Sequence, residues 1–250
     1  MTIHIVCLER NSTQAVLRKP ECRHEWVEYP ATAPAEIVAR LQGAQVAIVN
    51  KLRLDAAVLE QLPDLRLIAL LATGADNIDL QACEARQIVV SNVRGYAVHS
   101  VPEHAITLML ALRRRLFEYV ADVHAGRWAQ SPTFCLLDHP VRDLHGAVLG
   151  VVGRGALGEA TARLGAAFGM KVLFAEHKGA NLVRDGYTAF ETVLREADVL
   201  SLHCPLNEHT HRLIGADELA LMKRGAILIN TARGALVDEA ALAQALRSGG

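Results

Sequence analysis

Val148-Leu149-Gly150-Val151-Val152-Gly153-Arg154-Gly155-Ala156-Leu157-Gly158 is the stretch whose reading decides the fold. An apolar, β-branched run forms a strand, Gly-x-Gly-x-x-Gly turns out of it, and apolar residues at helical spacing follow from Leu157 to Phe168. The glycines have separate tasks: Gly153 permits the tight turn, Gly155 lets backbone approach a pyrophosphate, and Gly158 lets the helix pack on the sheet. Free N–H groups at the helix start face the phosphates, and Arg154, Ala156 and Leu157 complete the candidate dinucleotide cradle. A glycine-rich turn with no ligand is the bland alternative, but the next feature such a cradle needs is also present. Glu176 lies 18 residues beyond Gly158, at the end of the strand Lys171-Val172-Leu173-Phe174-Ala175. A carboxylate there accepts hydrogen bonds from the adenosine ribose hydroxyls and favours NAD over NADP. His177 and Lys178 follow at once, and either can turn toward a 2′-phosphate, so NADP stays open. A lower KM for NADH than for NADPH is the expected outcome.

Working outward, further aliphatic runs occur at Ile3-Cys7, Val46-Val49, Leu67-Leu71, Ile88-Val90, Val199-Leu202 and Ala226-Ile229. Continuously apolar strands belong in a parallel sheet covered on both faces. Segments with helical spacing lie between them, at Pro34-Leu41, Leu54-Leu62 and Glu239-Leu246, so the pattern is βαβ and the class is α/β, doubly wound. A separate helix is expected from Ser100-Val101-Pro102-Glu103, with the serine as cap, to Arg113-Arg114-Arg115, whose charge suits the helix dipole. Gly126 to Gly146 reads as an irregular excursion. The domain boundary is set near residue 98, giving lobes 1–98 and 99–250, and neither a repeat nor a low-complexity tract interrupts them.

Composition narrows the partners. Lys and Arg number 26 against 27 for Asp and Glu, so a net charge of −1 offers no basic field for nucleic acid or an anionic membrane. A small soluble ligand is the expected partner. The five cysteines, Cys7, Cys22, Cys83, Cys135 and Cys204, form no C-x-x-C pair, which argues against a zinc cluster or disulfide framework and suits a reducing cytoplasm. Met1-Thr2-Ile3-His4-Ile5-Val6 enters a strand directly, without a basic leader. Apolar runs such as Ala105–Leu112 fall short of the roughly 20 residues that cross a bilayer, and a soluble protein is expected.

Three more segments become legible together: Ala72-Thr73-Gly74-Ala75-Asp76-Asn77-Ile78-Asp79, Asn92-Val93-Arg94-Gly95-Tyr96 leading into Ser100-Val101-Pro102-Glu103-His104, and Asn230-Thr231-Ala232-Arg233-Gly234. With the glycine motif between them, in this order and across essentially the whole chain, the sequence resembles the D-isomer-specific 2-hydroxyacid dehydrogenases. The wording Phe174-Ala175-Glu176-His177-Lys178-Gly179 is most similar to the glycerate dehydrogenase (hydroxypyruvate reductase) branch. The resemblance implies a Rossmann cofactor domain, a smaller flavodoxin-like substrate lobe, an active site in the cleft and a homodimer. It implies hydride transfer between NAD(H) and a small D-2-hydroxy or 2-oxo acid, such as glycerate, hydroxypyruvate or glyoxylate.

The resemblance also distributes roles. Backbone N–H groups of Thr73-Gly74-Ala75 bind the substrate carboxylate, with Lys51 after Asn50 a further substrate-facing candidate. Arg233 is the catalytic candidate, because a guanidinium fork holds a carboxylate through two parallel hydrogen bonds and polarises the neighbouring carbonyl. Thr231, Ala232, Val101, Thr210 and the wall His203-Cys204-Pro205 match cofactor-lining positions. His203 and Cys204 are read as wall residues and not as catalysts. His209-Thr210-His211 lacks the companions of a metal site, and none is expected.

The proton donor departs from this picture. In the resembling family a glutamate and a histidine serve that need, roughly 30 and 50 residues past the arginine and so beyond Gly250; the chain is expected to be a fragment rather than a short protein that kept cofactor binding and lost catalysis. Pro102 stands where the family carries a small helix former, and a first-turn position tolerates it. The alternatives are an NAD-sensing corepressor on the same fold, or an enzyme of that fold acting on formate or phosphite.

Overall fold

Apolar runs and helical segments close into two parallel sheets in the computed structural model, which describes residues 2–249. The chain divides into two compact units, Met1–Tyr96 and Ala97–Gly250.

The first unit contains β1 (Ile3–Cys7), β2 (His24–Glu28), α1 (Ile37–Leu41), β3 (Val46–Val49), α2 (Ala56–Glu60), β4 (Leu67–Leu70), α3 (Leu80–Ala85) and β5 (Val89–Ser91). Its strands are all parallel in the order β2-β1-β3-β4-β5. Alternate side chains of β1 leave on opposite faces. Val6 joins Ile37, Leu41, Leu59 and Ile68 in one core cluster, whereas Ile5 and Cys7 pack with Ile48 and the half-buried Trp26 in another. β2 was not foreseen: His24-Glu25-Trp26-Val27-Glu28 is an edge strand whose charged residues face solvent. Chain order reverses between β1 and β3, so their carboxyl ends, near Glu9 and Asn50, frame the place where open α/β sheets receive ligands.

The second unit contains α4 (Ser100–Arg113), α5 (Leu116–His124), α6 (Arg127–Gln130), β6 (Val148–Val152), α7 (Ala156–Ala167), β7 (Lys171–Ala175), α8 (Phe190–Glu196), β8 (Val199–Leu202), α9 (Ala216–Leu221), β9 (Ile227–Asn230) and α10 (Glu239–Arg247). The strand order is β7-β6-β8-β9, all parallel, and the reversal falls between β6 and β8. Ala105, Ile106 and Met109 of α4 join Leu149, Val151 and Ala162 in one core cluster. Phe190, Val193 and Leu194 of α8 join Val152, Leu200 and Leu202 in a second one. Burial of both kinds explains why β6 reads as an unbroken apolar run, and why β8 is apolar but for the buried Ser201, whose hydroxyl is bonded to His203.

Two expectations need correction here. Ser100 is not a cap: it is the first residue of α4, the preceding residue His99 is already near-helical, and no side-chain cap bond forms. The reason is that turns upstream already supply acceptors, the N–H of Val101 donating to Ala97 O and that of Glu103 to His99 O. The region after α4 is also more ordered than its composition suggests. Arg115, with φ of 53°, and Gly126, with φ of 75°, interrupt the helix and restart it as α5 and α6. Residues beyond α6 are irregular but tied back, since Tyr119 Oη donates to Leu136 O and His139 O, and Asp122 accepts from Arg127 Nη1 and His139 Nε2.

Candidate functional site

The glycine cradle sits at the carboxyl end of β6, where each glycine is constrained differently. Gly153 has φ of +97°, and a Cβ on it would lie 2.7 Å from the Cys204 nitrogen and 2.8 Å from the His203 carbonyl carbon. The turn and the His203-Cys204 wall are therefore brought together by the absence of a side chain. A Cβ on Gly158 would collide with the Gly153 carbonyl oxygen, which closes the turn against α7. Gly155 differs: its backbone is extended and a Cβ on it would meet nothing within 4 Å. It is also the N-cap of the 12-residue helix α7 and supplies no side-chain acceptor, so the first-turn N–H groups are left to a ligand. The small buried residues Gly158, Ala160, Ala162 and Gly165 hold α7 close to the sheet.

At the end of β9, one side chain shapes the arginine turn. Asn230 Nδ2 donates to Arg233 O at 2.8 Å, and Asn230 Oδ1 accepts from Ala232 N at 3.1 Å. Arg233 is half-buried and extended, and its Nη1 donates to Ala232 O. The hydroxyl of Thr231 is buried without a hydrogen-bond partner among the described residues. An open cradle at Gly155 and an unsatisfied buried hydroxyl at Thr231 are what a polar cofactor would complete, so the residues present fit a dinucleotide.

The wall residues divide by chemistry. His203 hydrogen-bonds Ser201 at 2.9 Å, and burial lowers its pKa to about 4, leaving it neutral at physiological pH. Burial pushes the Cys204 thiol up, which keeps it unreactive. Thr210 staples its own loop, its hydroxyl donating to Pro205 O at 2.7 Å while accepting from Asn207 N. Val101 lies in the first turn of α4.

Glu176, directly after β7, lies in an unanticipated environment. It is 4% exposed, and its carboxylate accepts from His177 N, Arg184 N, Arg184 Nε and Arg184 Nη2 at 2.6–3.0 Å. The Arg184 fork and these backbone donors hold its pKa down to about 2. Lys178 is not the cation beside it: Lys178 Nζ pairs instead with the buried Glu218 at 2.8 Å. Arg154 stacks over Phe174 at 4.6 Å and Tyr187 at 5.4 Å and pairs with Glu159. Arg184 was missed because it lies eight residues past Glu176 in a loop whose composition carries no motif.

In the first unit, the carboxyl rim of the sheet is knitted by polar bonds. Glu9 accepts from the successive backbone N–H groups of Asn50, Lys51 and Leu52, leaving the Lys51 side chain exposed. Thr73 Oγ1 donates to Val93 O, and Asn92 Nδ2 donates to Thr73 O, so the Thr73-Gly74-Ala75 loop is fastened from both directions. Among the described residues, no cluster of three His, Cys, Asp or Glu side chains could hold a metal ion.

The second unit is, by its sheet order, switch point and cradle, a dinucleotide-binding α/β fold. Residues 106–250 match the family described as D-isomer specific 2-hydroxyacid dehydrogenase, NAD binding domain. The whole chain is 49% identical over 250 residues to a glycerate dehydrogenase of Methylorubrum extorquens and covers 78% of it. Among solved structures it is similar to the TT0316 protein of Thermus thermophilus, at 35% identity and a TM-score of 0.81, covering 98% of this chain and 78% of that one. It is also similar to a D-lactate dehydrogenase of Aquifex aeolicus complexed with NAD and lactic acid, at 30% identity and a TM-score of 0.77, covering 98% and 74%. The chain belongs to the D-isomer specific 2-hydroxyacid dehydrogenase family, and it is an oxidoreductase of that class whose cofactor is NAD. Nothing in these similarities favours the corepressor alternative.

Proposed function

We propose that this protein interconverts D-glycerate and hydroxypyruvate, with glyoxylate as a smaller alternative substrate. The observation that carries the reading is the Asn230-stapled turn, which sets Arg233 two residues from the unsatisfied Thr231 hydroxyl at the carboxyl end of β9. The similarity to a glycerate dehydrogenase supports the choice of substrate.

Bound NAD supplies the hydride acceptor for the alcohol, or as NADH the donor to the ketone. The chain's own residues do the rest. N–H groups at the start of α7 take the pyrophosphate over the bare face of Gly155. Glu176 faces the adenosine ribose, and Val101, Arg154, Ala156, Leu157, His203, Cys204, Pro205, Thr210, Thr231 and Ala232 line the cofactor. Arg233 receives the substrate carboxylate on its planar fork and stabilises negative charge as it develops on the neighbouring oxygen. Lys51 and the backbone of Thr73-Gly74-Ala75 are the substrate-binding groups of the first unit. His203 is read as a wall residue and not as the proton donor, because burial keeps it out of the acidic imidazolium form at neutral pH and its ring is bonded to Ser201.

A homodimer is part of the proposal. Leu116, Phe117, Val120 and Val123 of α5, with Trp128, Phe134 and Leu137 beyond it, are exposed apolar side chains on one stretch of chain. Among the described residues, no helix is long and apolar enough to cross a membrane, and no cysteine is in a disulfide. The free thiols support a cytoplasmic location.

The test is NADH oxidation by the full-length protein across hydroxypyruvate, glyoxylate, pyruvate and longer 2-oxo acids. Hydroxypyruvate should give the highest kcat/KM. A higher value for pyruvate or a branched 2-oxo acid would overturn the substrate assignment.

A further inference from the structure

We propose that Arg184 sets the choice between NAD and NADP, because its guanidinium occupies the acceptor positions on Glu176 that a ribose diol needs. The inference rests on the reading of Glu176 as the ribose-facing carboxylate.

An ionised carboxylate has about four acceptor positions. Four N–H groups fill those of Glu176: His177 N and Arg184 Nη2 on Oε1, and Arg184 N and Nε on Oε2. The residue is 4% exposed. No acceptor position remains for a hydroxyl while the fork is closed, so an unphosphorylated ribose binds only by displacing the guanidinium.

The structure lets that side chain leave without unfolding anything. The loop carrying it is closed at its base, Glu176 N donating to Thr188 O and Thr188 N to Phe174 O. Arg184 itself is 52% exposed, and its guanidinium already lies over the Tyr187 ring at 4.2 Å, a surface that can keep it once it releases the carboxylate. A phosphorylated ribose meets a different balance. Glu176 repels a 2′-phosphate, but Arg184 offers a fork suited to phosphate, and Arg154 stands over the same Tyr187 ring. NAD therefore pays for opening the fork, and NADP is compensated by it. The result is a narrow preference in a protein whose acidic strand end alone would give a wide one.

Isothermal titration with ADP-ribose and 2′-phospho-ADP-ribose isolates this end of the cofactor from the chemistry. The wild-type protein should bind both, favouring ADP-ribose by less than about tenfold. Arg184→Ala should tighten ADP-ribose several-fold and weaken the phosphorylated ligand by about tenfold or more, widening the ratio. Glu176→Gln should shift the ratio toward the phosphorylated ligand, and Arg184→Lys should retain more of its binding than Arg184→Ala does. Equal shifts for both ligands in Arg184→Ala, or a wild-type ratio beyond a hundredfold, would overturn the proposal. A wild-type protein that binds neither ligand would instead overturn the cofactor reading on which it rests. If Arg184→Ala loses its cooperative thermal transition, the ratios in Arg184→Lys and Glu176→Gln decide.

Discussion

Replacing Gly155 by alanine separates what the cradle does for folding from what it does for the cofactor. Its backbone is extended, at φ −93° and ψ −173°, and the added methyl would meet nothing within 4 Å. The substitution should therefore leave stability unchanged or raise it by about 0.4–1 kcal/mol through a less flexible unfolded chain. For a protein of this size that is a Tm rise of roughly 1–4 °C. If the pyrophosphate approaches over the bare face of Gly155, as proposed, the same methyl stands in its way to the first-turn N–H groups of α7. Each charge-assisted hydrogen bond forfeited costs about 1.5–3 kcal/mol, so losing one should weaken NADH by about ten- to a hundredfold and losing two by more than about a hundredfold. Gly153→Ala provides the contrast. Its φ of +97° and the 2.7 Å approach to the Cys204 nitrogen give it no relaxed place to stand. Strain and overpacking should together cost about 2–5 kcal/mol. Fluorescence titration with NADH and a thermal melt read both effects on each variant. A Gly155→Ala protein that binds NADH as tightly as the wild type would refute the reasoning.

Three further outcomes follow from the same geometry. Arg233→Lys keeps the charge but loses the planar fork, and kcat/KM should fall by about a hundredfold or more with little change in Tm. Gly150→Ala would bring a Cβ within 2.6 Å of Val193 Cγ1 and 3.0 Å of Leu200 Cδ1 in the core, so it should destabilise by about 1–3 kcal/mol while NADH affinity is kept. Glu176 has a carboxyl pKa of about 2 in the folded protein against an ordinary 4.5, so its contribution is fully present above pH 4.5 and is lost as the pH falls toward 2. Glu176→Gln should accordingly flatten the decline of Tm across that window, and an unchanged slope would show that the fork does not form.

The parts of this molecule that were legible in the sequence are those where one physical rule dominates. β6 and β8 are buried on both faces, so β6 is apolar throughout and β8 admits only Ser201, whose hydroxyl finds a partner in His203. The Gly153–Gly158 turn is equally legible, because steric demands at Gly153 and Gly158 admit nothing larger. β2 escaped because an edge strand buries little: Trp26 and Val27 are only half-buried between glutamates. α5 escaped because its break from α4 is a left-handed Arg115, a conformation that arginine does not advertise as glycine does. Ser100 misled for a related reason, since a cap residue is read from type, whereas His99 and Ala97 had already satisfied the donors it would have served. The position of Glu176 directly after β7 was readable from the strand pattern, but its partner was not. Lys178 is nearer in sequence, yet the buried Glu218 takes it and the loop returns Arg184 to the carboxylate.

The central claim, that an NAD cradle and an arginine fork here act on D-2-hydroxy acids, meets its most direct test in the handedness of the substrate. The full-length protein should reduce NAD with D-glycerate and not with L-glycerate, and Arg233→Lys should suppress that rate. Preferential oxidation of L-glycerate, or NAD reduction indifferent to Arg233→Lys, would contradict it.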